Sequence, residues 1–146
     1  MAFEDFPVGH RFTTSAITLS EQAIIDFAQE HDPQPFHINH EAARDSLYGG
    51  LISSGFQTLL VAFGLTLREG GWAEASMGSP GMNDLRWLRP VRPGDTLHVE
   101  AEVTEARASR SRPDRGFVTL SCQVVNQDNE PVMTYSGIHI LRRRGS

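Results

Sequence analysis

The segment from Phe56 to Arg68 constrains the fold more than any other part of the chain. If it is drawn as a helix, apolar side chains fall on nearly every face: Phe56, Leu59, Leu60, Val61, Phe63, Leu65 and Leu67. A helix that is apolar all round is normally buried, so the rest of the chain must surround it. Ser53 or Ser54 can cap this helix, and Gly55 opens it.

From Pro80 onward the pattern changes to the alternation that is typical of strands. Strands are predicted over residues 85–88, 96–107, 117–126 and 132–141, with turns at 90–95 and 113–116. Earlier in the chain, the sequence predicts a strand over 10–19, a helix from Ser20 to Gln29, and a short helix over 41–46. The short connections between the later strands favour antiparallel pairing.

These elements predict an α+β hot-dog fold, in which an antiparallel sheet of about five strands wraps around one long buried helix. The chain has 146 residues and shows no repeat or linker that would divide it. We therefore expect a single domain over residues 1–146.

Composition excludes several classes of protein. The chain is 39% hydrophobic and 21% charged, as globular domains are, and its net charge of −5 disfavours attraction to nucleic acid. Its longest apolar run, around Leu59 to Leu65, is far shorter than a bilayer span, and its first residues lack a secretory signal. Cys122 is the only cysteine, so no intrachain disulfide can form. We expect a cytoplasmic protein that binds neither nucleic acid nor membrane.

The stretch Asp32-Pro33-Gln34-Pro35-Phe36-His37 places a carboxylate and an imidazole five residues apart. Two prolines bias Asp32 and Gln34 away from the helical region, which predicts a stiff, non-helical loop. An acid and a base held at fixed spacing can act together in general acid/base catalysis. The alternative is structural: an aspartate that caps a helix or a turn, beside a surface histidine.

Several motifs in this order resemble the MaoC-like acyl dehydratases, the group that includes the (R)-specific enoyl-CoA hydratases. They are the 32–37 stretch, Gly49-Gly50-Leu51-Ile52, the helix opening at Ser54-Gly55, and the run from Leu85 to Asp95. The resemblance implies a hot-dog dimer that reversibly adds water across the double bond of a 2-enoyl-CoA thioester. Coenzyme A is then part of the substrate, and no other cofactor is implied.

The same resemblance assigns roles to individual residues. Asp32 and His37 correspond to the family's acid/base pair, and the backbone N–H of Gly55 is placed to stabilise the thioester oxygen. Ser54 stands where many members have a histidine, and Phe63 where some have a serine. Both positions lie near the acyl tunnel in the family, so Phe63 is expected to narrow it and to favour short substrates.

Arg86, Arg89 and Arg92 form a basic group beside a turn. We expect them to bind the phosphates of coenzyme A; the alternative is that they belong to the fold or to the dimer surface. His37 and His40 are three residues apart, but no third ligand stands at a recognisable spacing, so no metal site is expected.

Two other functions remain open at this point. A thioesterase on the same fold would direct water at the thioester carbonyl, and an accessory subunit would recognise acyl-CoA or a partner chain without turnover. For the hydratase we expect an acyl-CoA thioester substrate and a homodimer or a higher homo-oligomer.

Overall fold

The computed structural model describes residues 1–145 as four α-helices and six strands. The helices are α1 (Glu21–His31), α2 (Pro35–Ile38), α3 (His40–Arg44) and α4 (Gly55–Glu69). The strands are β1 (Arg11–Thr13), β2 (Ile17–Thr18), β3 (Gly81–Trp87), β4 (Thr96–Ala108), β5 (Arg115–Val125) and β6 (Pro131–Arg142). Within this part of the chain, no helix combines the length and apolar character needed to cross a membrane.

The sheet is antiparallel, with strand order β1-β4-β5-β6-β3, and β2 also pairs with β4. β4 buries every second side chain on one face, including Leu97, Val99 and Val103. Ala62 and Leu65 of α4 belong to the same core cluster, so the sheet wraps against the long helix. This arrangement confirms the predicted hot-dog fold.

The strand predicted over residues 10–19 is broken into β1 and β2, which gives six strands rather than about five. The break lies at Thr14. Its backbone N–H donates to the carbonyl of Val99 at 2.9 Å, while its Oγ1 accepts from the Val99 N–H at 2.9 Å. A side-chain hydroxyl thus replaces a backbone acceptor in the ladder, a competition that threonine allows and that periodicity does not reveal.

The expectation that α4 is buried all round is wrong for one flank. Phe56 and Leu60, one turn apart, are each 57% exposed. On the edge strand, Trp87 is 50% exposed, and its ring lies 5.7 Å from that of Phe56. With the exposed Leu88, which follows Trp87, these residues form what we call the open apolar face.

The core under the second half of α4 contains aromatic and polar side chains. Trp72 is buried, with its ring 4.0 Å from His139 and 5.8 Å from Phe63. Burial lowers the pKa of His139 to about 4. Cys122 is buried on β5 opposite Tyr135, and burial raises the pKa of its thiol to about 11.

Candidate active site

The segment that carries Asp32 and His37 is partly helical, which corrects the prediction of a helix-free loop. Gln34 is extended, as expected for a residue before proline, but Pro35 occupies the first position of α2. Proline is tolerated there because the N–H it lacks would have no intrahelical acceptor. The single turn of α2 places His37 in the interior, where only 4% of it is exposed.

The two predicted acid/base side chains meet. Nε2 of His37 lies 3.3 Å from Oδ2 of Asp32. Nδ1 of His37 lies 2.7 Å from the carbonyl oxygen of Ile52, which can only accept, so Nδ1 carries a proton. Nε2 is therefore the nitrogen that faces the carboxylate.

Asp32 accepts hydrogen bonds at both of its oxygens. Gln34 donates to Oδ1 at 2.7 Å, and the hydroxyl of Ser54 donates to Oδ2 at 2.7 Å. Burial by itself raises the pKa of this carboxyl, but the bonds from Gln34 and Ser54, together with His37, outweigh burial and leave the pKa lowered. The site thus holds a carboxylate next to a histidine nitrogen.

The first turn of α4 faces the same space. Ser54 caps the helix, because its Oγ accepts from the N–H of Phe56 at 3.2 Å. Ser53 does not cap it; its hydroxyl instead donates to the side chain of Gln57 at 3.0 Å. The N–H of Gly55 has no acceptor within the helix and is available to a ligand, with the positive end of the helix dipole behind it.

These groups line one cavity of about 440 Å³. It is bounded by α2, the first turn of α4 and the segment after β3, and its lining comprises Asp32, Gln34, Phe36, His37, Tyr48, Ile52, Ser53, Gly55, Phe56, Thr58, Trp87, Leu88, Arg89, Pro90, Val91 and Val132. Of the residues predicted from the sequence, the cavity brings together Asp32, His37, Gly55 and Arg89. Ser54 reaches it through its bond to Asp32.

Besides Ser54, three predicted substrate-binding residues lie outside this lining. Phe63, near the middle of α4, packs against Trp72 and His139. Arg86 is exposed on β3, where Nη1 donates to the neighbouring carbonyl of Leu85 at 3.1 Å. The guanidinium of Arg92 donates to the carbonyl of Tyr48 at 2.5 Å and so holds a loop that borders the cavity.

Two cavity residues, Gln34 and Trp87, were not among those predicted from the sequence. Gln34 stands two residues after Asp32, a spacing at which its amide reaches the carboxylate. No local signal places Trp87 in the cavity, because its position depends on the end of β3 meeting the first turn of α4.

Within residues 1–145, no three His, Cys, Asp or Glu side chains are grouped so that they could hold a metal ion. His40 lies 2.9 Å from Glu21, whereas His37 faces Asp32. The two histidines of the 37–40 spacing therefore have different partners.

Known proteins match both the sequence and the fold. The MaoC like domain matches residues 5–126. A MaoC-like dehydratase structure from Rhodospirillum rubrum is 40% identical, with a TM-score of 0.93, and the match covers 100% of this chain and 99% of that one. The uncharacterized protein YdeM of Bacillus subtilis is 32% identical over 87% of this chain and 89% of its own length.

A shorter match is to the mesaconyl-CoA hydratase of Cereibacter sphaeroides, which is 37% identical over 59 residues, covering 40% of this chain and 17% of that protein. The domain match covers well over half of the chain. The chain therefore belongs to the MaoC-like domain family.

Proposed function

We propose that this protein is a hydratase that adds water reversibly across the double bond of a 2-enoyl-CoA thioester to give a 3-hydroxyacyl-CoA. One observation carries the proposal: Asp32 and His37, 3.3 Å apart, share a cavity with the free N–H at the start of α4. The site thus offers an acid/base pair and an oxyanion donor to one ligand.

The tautomer of His37 supports activation of a water molecule. With Nδ1 donating to Ile52, Nε2 of the neutral His37 ring is an acceptor, as is Oδ2 of Asp32, so that one water can donate to both. As the water oxygen bonds to the β-carbon, one of the two groups takes the proton that the water loses. A proton then returns to the α-carbon, so that the elements of one water are added.

Attack at the β-carbon moves negative charge onto the thioester oxygen. A donor that is already in place stabilises that charge without reorganisation. Gly55 fits the role because its N–H is unused within the helix, and the helix dipole adds partial positive charge there.

Coenzyme A enters the proposal as part of the substrate, with no separate cofactor. Arg89 borders the cavity and is half exposed, so its guanidinium can bind a phosphate of coenzyme A. The same guanidinium lies 3.3 Å from the carboxylate of Glu130. The match to a protein named mesaconyl-CoA hydratase supports a coenzyme A thioester as the substrate and hydration as the reaction.

We also propose a homodimer in the cytoplasm. The unpaired edge of β3 and the open apolar face support self-association, because an exposed edge strand flanked by large apolar side chains is otherwise an aggregation risk.

The test is a panel of enoyl-CoA and saturated acyl-CoA esters. Hydration removes the ultraviolet absorbance of the conjugated double bond and leaves the thioester intact. Release of free thiol from saturated esters would instead identify a thioesterase. If neither signal changes while acyl-CoA still binds, the chain is an accessory subunit and the proposal is wrong.

A further inference from the structure

Trp87 stands against the first turn of α4. A β-carbon built on Gly55 would lie 2.4 Å from both Nε1 and Cε2 of the Trp87 indole. Because a β-carbon is about 2.5 Å from its own backbone nitrogen, Nε1 of Trp87 is no more than about 5 Å from the nitrogen of Gly55. Both residues line the cavity that holds Asp32 and His37.

The indole nitrogen is an unused donor. Trp87 contacts the ring of Phe56, but its Nε1 donates to no atom of residues 1–145. The indole N–H can only donate, and here it lies beside a second unused N–H, that of Gly55. Two donors that each lie about 2.9 Å from one oxygen are separated by less than about 5.8 Å, so these two N–H groups are close enough to share an oxygen.

We propose that Nε1 of Trp87 is the second donor to the thioester oxygen, paired with the backbone N–H of Gly55. The inference rests on the proposed hydratase function and adds a catalytic residue to it. Packing alone does not require the nitrogen, since a phenyl ring can also lie against a glycine. A pair of donors, by contrast, gives the developing oxyanion two hydrogen bonds from fixed groups.

The test compares Trp87→Phe with the unmodified protein. Hydration of crotonyl-CoA should lose about 10²-fold in kcat, the lower end of the range for one lost oxyanion donor, because the N–H of Gly55 remains as a donor. KM should change little, since the bond is strongest in the transition state. Met82→Leu, an exposed change on the same strand and outside the cavity, is the control for altering β3.

A spectroscopic measurement distinguishes a Trp87 that donates a hydrogen bond to the substrate from one that only packs against it. Butyryl-CoA labelled with ¹³C at the carbonyl cannot be hydrated, and its bound carbonyl stretch should move to lower frequency than in solution. In Trp87→Phe that displacement should shrink. If Trp87→Phe proves unstable, benzothienylalanine introduced at position 87 keeps the two-ring shape and removes only the N–H.

The outcomes are distinct. If the unmodified protein hydrates crotonyl-CoA, and replacement of Trp87 leaves both kcat and the carbonyl frequency unchanged, the second-donor inference is overturned while the hydratase proposal stands. If the unmodified protein does not hydrate any enoyl-CoA, the proposed function fails first, and this inference fails with it.

Discussion

The hydroxyl of Ser54 donates to Oδ2 of Asp32 at 2.7 Å, and this is the same oxygen that faces Nε2 of His37. The residue that caps α4 therefore also orients the carboxylate. A serine at this position therefore has a second use beyond beginning the helix.

Ser54→Ala should move the acidic limb of the kcat/KM profile to higher pH. The bond from Ser54 helps to hold the pKa of Asp32 below its usual value, so its removal raises that pKa and the carboxylate is lost earlier as pH falls. Activity measured from pH 4 to 9 checks the shift, and Ser54→Thr should retain the original limb. Loss of the cap costs about 1 kcal/mol, so unfolding is measured in parallel. An unmoved limb in the alanine variant would contradict the role of Ser54.

Asp32→Asn and His37→Asn should each lower kcat by about two to four orders of magnitude, the range for a positioned acid or base. Asparagine at position 37 can keep a donor near Ile52 and so limits structural damage. Because both groups act on one water, the kcat of the double variant should be only slightly lower than that of the less active single variant. Near-normal turnover in either single variant would place the reaction elsewhere.

Arg89→Gln should raise KM for enoyl-CoA about two- to fivefold with kcat unchanged, as expected for one partly exposed charge contact. Arg86→Gln should raise it less, because Arg86 lies outside the cavity lining. The deciding comparison uses enoyl-pantetheine, which lacks the phosphates of coenzyme A. If Arg89→Gln impairs both substrates equally, Arg89 does not bind phosphate.

Leu60→Asp should convert the proposed homodimer to monomer. It places a charge in the open apolar face, where Leu60 is 57% exposed, yet outside the cavity lining. Light scattering after size exclusion measures the mass. Val8→Asp, at another exposed apolar position, should leave the mass unchanged. A Leu60→Asp dimer of unaltered stability would show that this face is not the interface.

Phe63→Ala should cost stability without changing chain-length preference. The ring packs on Trp72 and His139, so its loss should lower the free energy of unfolding by about 3 kcal/mol, the lower end of the range for core phenylalanines. The ratio of kcat/KM for octenoyl-CoA over crotonyl-CoA should stay constant. A rise in that ratio would return Phe63 to the acyl tunnel that the family resemblance implies.

The sequence alone predicted the long helix and the alternating strands, because the local spacing of apolar residues indicates both kinds of element. The bounds of α4 differ from the predicted segment by one residue at each end. The spacing of Asp32 and His37 indicated an acid/base pair and the family resemblance assigned them that role, but their contact also depends on the turn of α2 and on the carbonyl of Ile52.

The parts that sequence missed depend on distant elements. Thr14 breaks a strand because Val99 is opposite it, and Trp87 reaches the cavity because the end of β3 meets the first turn of α4. Phe56 and Leu60 were expected to be buried because they are apolar, but the sequence pattern does not show whether another element packs over them. Each of these relations needs the tertiary structure, which local propensity does not contain.

Because Cys122 is buried, the rate at which its thiol is modified reports how often β5 becomes exposed. Its thiol is enclosed and protonated at neutral pH, because burial raises the pKa to about 11, so a disulfide reagent can modify it only when β5 becomes exposed. With one cysteine in the sequence, the labelling rate therefore reads the opening free energy of the sheet at a single site. Because the buried Cys122 thiol reacts slowly, a thiol reagent can also measure the release of coenzyme A in the presence of the folded protein.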